Sequence, residues 1–358
     1  MTLSSLLRAK GTHRLTMKNR ILSIGKYLIF LAIGVFLLWL TLRKSNWAEI
    51  KEDIITARFV FLIPATLMLL LSHFSRAARW KILMEPLGYK PSLLNTYLTV
   101  LIGYWANLAF PRLGEVLKCT ILGRYEKVPV DKLVGTIVAE RAFDIVSLVA
   151  VFAITVGIQY DLVGTYTGQM FSNVFRNDDG GIELKKVWIT IAVILGIIFL
   201  IRYLFRSLAH LAFVQKTKTM LRGVGQGLTS VRHIKSKGWF FFHTVNIWLM
   251  YLLSTYMGFY AMQDLSQYGI KAAFSALSFG SLGMIVPSPG GIGSYQYAVQ
   301  QVLLLYGISA EKGLSLGMLI WFAQTGIIII FGTLSFLLLP VFNRNKNEKS
   351  RLHTPQNI

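Results

Sequence analysis

Three charged side chains lie inside an otherwise apolar stretch of the sequence, in the run Glu140-Arg141-x-x-Asp144. Glu140 and Asp144 are four residues apart, so a helix places both carboxylates on one face, and Arg141 can pair with Asp144. Counted from Leu133, Glu140 lies about 10 Å and Asp144 about 16 Å along such a helix. Because the hydrocarbon core of a bilayer is about 30 Å thick, these charges predict a polar interior near its middle.

A second set of charges lies at a proline-glycine break, where the apolar stretch 93–110 meets Pro111-Arg112-Leu113-Gly114-Glu115. The planar donor fork of an arginine suits phosphate or carboxylate. One hypothesis is that Arg112, together with Arg141, binds an anionic headgroup or phosphate, while the carboxylates balance the empty site or exchange protons. The carboxylates in question are Glu115, Glu140 and Asp144. The alternative is a permanent ion-pair network that locks the break to the neighbouring helix.

A third candidate is the uncharged turn Pro287-Ser288-Pro289-Gly290-Gly291-Ile292-Gly293, which interrupts the apolar stretch 270–306. Its glycines allow close approach of the backbone, and a half-helix from Ser294 would point its amide end into the core, which suits an anion. The residues selected are Ser288, Gly290, Gly291, Gly293, Ser294 and Gln296, with Tyr295 as a further donor. The alternative is a glycine-packed helix break without a ligand. No lysine follows the glycines, so a nucleotide P-loop is not indicated.

The elements that must position these residues are apolar helices. The chain has 358 residues, of which 54% are hydrophobic and 15% charged, whereas soluble domains carry about 25% charged residues. Six blocks are long enough to cross a bilayer: about 21–42, 59–76, 133–158, 187–205, 239–262 and 314–340. The predicted fold is an all-α polytopic membrane protein with about six full transmembrane helices.

The two interrupted stretches add two re-entrant broken-helix hairpins to this fold. Proline lacks the amide hydrogen that continues a helix, and glycine permits the reversal that follows. Such turns must be buried in protein or line a wet cavity. The element order then repeats in halves of about 21–158 and 187–340, and the second half is inverted relative to the first, an arrangement typical of transporters.

The charge distribution predicts the topology. Lys and Arg number 37 against 16 Asp and Glu, a formal net charge of +21, and the basic residues concentrate in segments that fall on one side in this layout. That side is predicted to be cytoplasmic. Residues 1–20 form a basic cytoplasmic segment, 21–342 the transmembrane domain and 343–358 a cytoplasmic tail. The expected partners are anionic lipid headgroups at an inner membrane, and no nucleic acid is expected.

The sequence predicts neither a metal nor a cofactor. Cys119 is the only cysteine, which excludes an intrachain disulfide and a thiolate-rich metal site. No two of the six histidines have metal-binding spacing. An enzymatic function therefore lacks the usual arrangements of ligands and bases.

Three motifs in order resemble the lysylphosphatidylglycerol synthase transmembrane-region family, whose members are described as flippase-like. They are Asn107-Leu108-Ala109-Phe110-Pro111-Arg112-Leu113-Gly114-Glu115, Glu140-Arg141-x-x-Asp144 and the turn 287–293. The resemblance covers residues 20–342 approximately. It implies translocation of a lipid between leaflets, with the motif-matched charges as candidate site residues. The aminoacyltransferase domain of the best-known members has no counterpart, so aminoacyl transfer is not expected.

The function expected from these features is movement of a phospholipid or lipid-linked precursor across the cytoplasmic membrane through a polar cavity. Two alternatives stay open. One is an intramembrane enzyme that acts on a lipid phosphate, for which the carboxylates could serve as bases. The other is a membrane scaffold that does not transport.

Overall fold

The structure is a computed structural model that describes residues 31–43, 45–110, 113–160, 188, 231–286 and 288–352. Every regular element in these ranges is helical, as the all-α prediction requires. Within the part of the chain that the structure describes, three helical segments are long and apolar enough to cross a membrane, Phe59–Leu87, Val130–Ile158 and Ala310–Arg344. They coincide with three of the six predicted crossings. The predicted crossing 187–205 lies outside the described residues except for Trp188.

The helices are numbered in chain order over the described residues. They are α1 (Leu31–Leu42), α2 (Trp47–Ile55), α3 (Leu62–Met84), α4 (Leu93–Ala109), α5 (Leu113–Glu126), α6 (Val130–Ile158), α7 (Lys237–Ala261), α8 (Gly269–Gly283), α9 (Ser294–Leu304) and α10 (Ala310–Leu352). Short 3-10 turns precede α3, follow it at Glu85–Leu87, and lie in the breaks before α8 and α9. Helix α2 was not predicted, because its nine residues contain no apolar run.

Helix α3 extends beyond its predicted end. The apolar run 59–76 predicted a crossing that stops at Arg76, but α3 continues to Met84. The chain then leaves the helix at Gly88, whose φ of +83° favours glycine and whose amide donates to the Glu85 carbonyl at 3.0 Å. Arg76 and Arg79 therefore lie inside the helix rather than after its end. Both are buried, because side chains of other helices cover them.

The first broken stretch forms a pair of antiparallel helices, α4 and α5. Near the break, the Gly114 amide donates to the Asn107 side-chain oxygen at 2.7 Å. At the other end, the Asn95 side chain donates to Glu126 at 2.5 Å. Contacts that join early α4 to late α5 and late α4 to early α5 require antiparallel packing. The prediction that this pair enters and leaves the bilayer on one side is not tested by these contacts.

The break between α4 and α5 has the geometry that its proline demands. Phe110 is extended, with φ −134° and ψ 118°, as a residue before proline prefers. Pro111 and Arg112 lie outside the described residues. A Cβ on Gly114 would collide with the Gly103 carbonyl oxygen, so glycine at 114 allows the two helices to touch backbone to backbone.

The second broken stretch forms a similar antiparallel pair, α8 and α9. A Cβ on Gly283 would lie 2.6 Å from the Ser294 carbonyl oxygen, which places the two helices in close contact near the break. At the far ends, the hydroxyls of Ser275 and Tyr306 are 2.9 Å apart. The predicted helix-turn-helix is therefore present here too, and its re-entry into the membrane stays a prediction.

Helix α3 packs along α7, and polar side chains hold the two helices together. The Asn246 amide donates to the Ser75 hydroxyl at 2.7 Å, and the Ser254 hydroxyl donates to the Ala65 carbonyl at 3.0 Å. Such hydrogen bonds help to join helices in a membrane, where the hydrophobic effect does not. The α3–α7 pair is the framework on which the basic residues described below are placed.

The cytoplasmic tail predicted at 343–358 is partly helical. Helix α10 contains Pro340 and continues to Leu352. Asn343 is buried, and its side-chain amide exchanges two hydrogen bonds with that of Asn95, each 3.0 Å long. This pair fixes the last part of α10 to the start of α4. Helix α10 therefore stays packed against its neighbour beyond the end of the apolar block 314–340.

The chain divides into two compact units. The first comprises Met1–Val134 with Lys235–Ile358, and the second is Gly135–Ile234. In the second unit, the described residues are chiefly those of α6. These bounds do not test the predicted halves 21–158 and 187–340, and the inverted repeat stays a prediction.

Candidate functional site

Helix α6 carries the three charges that the sequence placed in an apolar span. Glu140 is fully buried, at 0% exposure, and lies about 15 Å along the helix from Val130. The Nη1 atom of Arg141 is 3.5 Å from Asp144 Oδ2, as their spacing predicted. The side chain of Asp144 is 16% exposed and that of Arg141 40% exposed. Helix α6 thus holds a mixed-sign group well inside a span long enough to cross a membrane.

A second concentration of charge lies in the other unit, on α3 and α5. Its members are all basic and all buried: His73, Arg76, Arg79 and Lys118, with exposures of 1%, 5%, 0% and 3%. We call these four residues the basic cluster. Burying charges in a low-dielectric interior costs several kcal/mol each unless partners compensate. Their surroundings therefore indicate what the cluster can do.

The basic cluster lies deep in its helix. His73 is midway along the candidate span Phe59–Leu87, and Arg79 lies about 9 Å farther toward Leu87. Half the thickness of a bilayer core is about 15 Å. A membrane centred on this span therefore encloses His73, Arg76 and Arg79 in its apolar part.

His73 and Arg76 share an aromatic neighbour on α4. The His73 ring centroid is 4.4 Å from that of Tyr104, and the Arg76 guanidinium carbon is 5.9 Å from the same ring. Arg76 Nη2 is also 3.5 Å from the Tyr251 hydroxyl on α7. An aromatic ring of α4 and a hydroxyl of α7 thus meet these two side chains in the interior.

The imidazole of His73 is buried without a hydrogen bond. Neither ring nitrogen has a partner among the residues that the structure describes. Buried polar atoms are hydrogen-bonded in the great majority of cases, and an exception points to a water, an ion or a catalytic role. Arg76 and Lys118 lie near enough to His73 to act on it electrostatically. The three residues thus surround one locality.

Lys118 reaches this locality from α5 because α4 has no side chain in its way. A Cβ on Gly103 would lie 2.6 Å from the Lys118 Cγ and 2.9 Å from its Cδ. The ammonium group lies 4.5 Å from the centroid of the Trp80 ring on α3. The next residue, Cys119, is the only cysteine in the sequence and is also buried.

Arg79 lies one turn from Arg76, toward the end of α3. Its guanidinium carbon is 6.0 Å from the Phe240 ring centroid, and its Nη1 is 3.4 Å from the Thr244 hydroxyl. Its charge also acts on His243. His243 lines a surface cleft between α3, α4 and α7, together with Lys81, Glu85, Ser236 and Trp239. His243, on which the charge of Arg79 acts, thus lies at the surface of this cleft.

The break between α4 and α5 is followed by Glu115. This residue is half-buried in the first helical turn of α5, three residues before Lys118. Arg112, the arginine that the sequence favoured, lies outside the described residues. Its proposed role as a phosphate ligand stays a prediction.

The polar groups of the second turn bond to one another. The Gly293 amide donates to Gln296 Oε1 at 2.8 Å. The hydroxyls of Ser288 and Ser294 are 2.9 Å apart, and Ser294 donates to the Gly291 carbonyl at 3.2 Å. An anion at this turn would have to displace these bonds. The anion site predicted for Ser288, Ser294, Gln296 and the three glycines stays a prediction.

The glycines of the second turn serve close packing. Gly290, Gly291 and Gly293 have φ angles of +57°, +74° and +77°, a region that L side chains rarely adopt. A Cβ on Gly293 would collide with the Gly34 carbonyl oxygen of α1. The Trp321 indole nitrogen donates to the Gly290 carbonyl at 2.7 Å. The turn thus packs closely on α1 and α10.

Sequence reasoning missed most of the basic cluster. None of its four residues was among the site residues that the sequence predicted. The available signal was the small residues that surround Arg76 and Arg79, such as Ser72 and Ser75, which are typical of packed interfaces in membranes. Among the described residues, no three His, Cys, Asp or Glu are grouped to hold a metal.

Comparisons with known proteins agree on a membrane protein. The family model described as "Lysylphosphatidylglycerol synthase TM region" matches residues 27–332. The chain is 28% identical over 130 residues to the UPF0104 membrane protein MJ1595 of Methanocaldococcus jannaschii. That alignment spans 36% of each chain, so it covers about a third of the relative's length. No solved structure gives a significant match.

Proposed function

Because the chain belongs to the lysylphosphatidylglycerol synthase TM region family, we propose that it is an integral membrane lipid translocase. It moves a phospholipid or a lipid-linked precursor between leaflets of the cytoplasmic membrane. The headgroup passes through a polar intramembrane cavity while the acyl chains stay in the lipid. Neither a cofactor nor a bound metal is part of this proposal.

The observation that carries the proposal is the charge group of α6. Glu140 is fully buried in a helix with the length and apolarity of a membrane span. Ionisable residues in such spans are expensive and mark substrate or ion pathways by default. Arg141 and Asp144 form an ion pair one turn away. A carboxylate and an ion pair at this depth suit a site that accepts a charged headgroup or exchanges a proton.

Contacts in the first unit support the proposed topology, with both termini cytoplasmic. Asn95 bonds to Asn343, two positions that the topology places at the cytoplasmic face. Lys312 pairs with Asp264, two positions that the topology places at the opposite face. One crossing too many or too few between the members of a pair would have placed them at opposite faces.

The test is lipid scrambling by the full chain in liposomes that carry fluorescent phospholipids. We expect Glu140→Gln to slow scrambling severalfold, because it removes the charge and keeps the shape. Asp131→Asn is the matched control, because it neutralises an exposed carboxylate at the start of the same helix and should scramble at the wild-type rate. Arg112→Ala tests the arginine of the first turn in the same assay.

Three outcomes would contradict the proposal. Equal scrambling by wild type and Glu140→Gln would remove the role of α6. Loss of thermal stability in Glu140→Gln with unchanged scrambling per folded molecule would favour the scaffold. Chemical turnover of the labelled lipid by purified protein would favour an enzyme.

A further inference from the structure

We propose that the surface cleft between α3, α4 and α7 binds a phospholipid whose headgroup carries both a phosphate and a primary ammonium group, as phosphatidylethanolamine does. The lipid stays at one face of the membrane and joins the three helices there. The inference requires that α3 spans a membrane, and it holds whether or not the chain moves lipids. It therefore goes beyond the proposed function.

The cleft lies at the depth of lipid headgroups. His73 is midway along the candidate span Phe59–Leu87, and Lys81 lies about 12 Å and Glu85 about 18 Å farther along it. Half the thickness of a bilayer core is about 15 Å, so a membrane centred on this span places the two residues on either side of its apolar boundary. The exposed side chain of Trp239 lines the same cleft, and tryptophan is enriched at this level.

Two opposite charges line the cleft without neutralising each other. Lys81 and Glu85 are one helical turn apart, yet Lys81 makes neither an ion pair nor a hydrogen bond with any residue in the described part of the chain. The side chain of Glu85 accepts from the Ser236 hydroxyl at 3.4 Å, which is long for a hydroxyl hydrogen bond. A cation and an anion that stay apart in this way suit a ligand that carries both complementary charges.

His243 adds hydrogen-bonding capacity to the same cleft. Its Nδ1 atom is buried and has no partner among the residues that the structure describes, and such atoms point to a bound water or ligand. The His243 ring is stacked on Trp239, with centroids 5.9 Å apart, and meets Phe242 edge-on, with centroids 5.3 Å apart. The two contacts hold the imidazole in place beside the charged residues.

The remaining wall of the cleft is apolar, as the glycerol and the first acyl carbons of a lipid require. Ala78, Ile82 and Leu93 form it. Ala78 lies about 8 Å from the middle of the span, inside the apolar core. The empty space in the cleft is about 480 Å³, within the range of small-molecule sites. The cleft is therefore polar toward the membrane surface and apolar toward the membrane interior, in the same order as a phospholipid.

The two charges select among lipid headgroups. Lys81 meets the phosphate and Glu85 meets the ammonium group. An ethylene link separates these groups in phosphatidylethanolamine, which suits side chains one helical turn apart. Phosphatidylglycerol has no cation for Glu85, and the trimethylammonium group of phosphatidylcholine has no hydrogen to donate to it. Charge-assisted hydrogen bonds are the strong ones, so the primary ammonium group should decide the preference.

The experiment measures the rise in melting temperature of the full chain in detergent as each probe is added, because a ligand of the folded state stabilises it. The probes are the dioctanoyl forms of phosphatidylethanolamine, phosphatidylcholine and phosphatidylglycerol, with phosphoethanolamine as the headgroup without acyl chains. We expect phosphatidylethanolamine to bind about tenfold more tightly than phosphatidylcholine, the effect of one charge-assisted hydrogen bond. Phosphoethanolamine should give no rise at the same concentrations.

Two variants separate the two charges. Glu85→Gln keeps the shape of the side chain and should weaken phosphatidylethanolamine binding about tenfold, while phosphatidylglycerol binds more tightly because a repulsive charge is gone. Lys81→Gln should weaken the binding of both lipids. The matched controls are Glu52→Gln and Lys90→Gln, which neutralise exposed residues elsewhere and should bind both lipids like the wild type.

The melting temperature before lipid addition shows whether each variant is folded, and Lys81→Gln carries the test if Glu85→Gln does not fold. Unchanged phosphatidylethanolamine binding by the folded variants would overturn the proposal. So would equal binding of phosphatidylethanolamine and phosphatidylcholine by the wild type, or a response to phosphoethanolamine as strong as that to the lipid.

Discussion

The two helical hairpins, α4–α5 and α8–α9, are built by the same means. In each, an apolar helix stops at a proline-containing break and a second helix returns antiparallel to the first. In each, a glycine allows the two helices to touch near the break, Gly114 against Gly103 in the first and Gly283 against Ser294 in the second. Small residues permit such close approach where helices meet in a membrane.

The hairpins differ in what they carry. The first has Glu115 and Lys118 on its return helix, and the Lys118 ammonium group lies over the Trp80 ring of α3. The second has an uncharged turn whose serines and amides bond to one another. A broken helix is therefore a structural device that does not itself imply a ligand.

The largest expected effect tests the packing of the second hairpin. Gly293→Ala places a methyl group against the Gly34 carbonyl oxygen and forces alanine to a φ of +77°. We expect the free energy of unfolding to fall by about 3 kcal/mol, from overpacking and backbone strain together. Thermal unfolding in detergent measures it. The control is Gly326→Ala, whose Cβ meets open space. Equal stability of the two variants would show that the turn does not pack on α1.

The next effect decides whether the second turn is structural. Ser294→Ala removes the bonds to Ser288 and Gly291. We expect the free energy of unfolding to fall by about 1.5 kcal/mol, with scrambling per folded molecule unchanged. A severalfold loss of scrambling at unchanged stability would instead make this turn a ligand site. The distinction between the hairpins would then fail.

A smaller effect tests the passage for Lys118 in the first hairpin. Gly103→Ala presses on the flexible lysine stem, so the stability cost should be only about 1 kcal/mol. Thermal unfolding in detergent measures it, with Gly326→Ala as the control, because its Cβ meets open space. A loss of about 3 kcal/mol or more in Gly103→Ala would mean that the lysine stem cannot yield.

The smallest effect tests the attachment of the first hairpin to α10. A double-mutant cycle of Asn95→Ala and Asn343→Ala should give a coupling energy of about 0.6 kcal/mol, typical of interhelical hydrogen bonds in membranes. Both single variants should scramble normally, because the pair lies away from the basic cluster. A coupling energy of zero would show that the reciprocal amide bonds do not contribute to stability.

Much of this arrangement was predictable because it depends on local chemistry. Proline and glycine at 111–114 and 287–293 predicted both breaks, and the spacing of Arg141 and Asp144 predicted their ion pair. The extent of α3 was not predictable from hydropathy, which treats Arg76 as the end of a span. The partners that allow its burial, Tyr104 and Tyr251, come from other helices.

The site was less predictable than the fold because it depends more on side chains that come from different helices. Lys118 can be buried because Gly103, on a different helix, has no side chain to obstruct it. The sequence could not decide whether Ser288 and Ser294 bind a ligand or each other, since the same hydroxyls serve both purposes. The structure shows the contact between the two hydroxyls, and the anion site stays a prediction.

The burial of Cys119 has a practical consequence for mapping the topology. It is the only cysteine in the chain, and it is 2% exposed, so a water-soluble maleimide should leave the native protein unmodified in intact cells. Single cysteines introduced at Glu52 and Lys90, both exposed, should then label from opposite faces of the membrane. The native thiol can stay in place as a silent background for every such experiment.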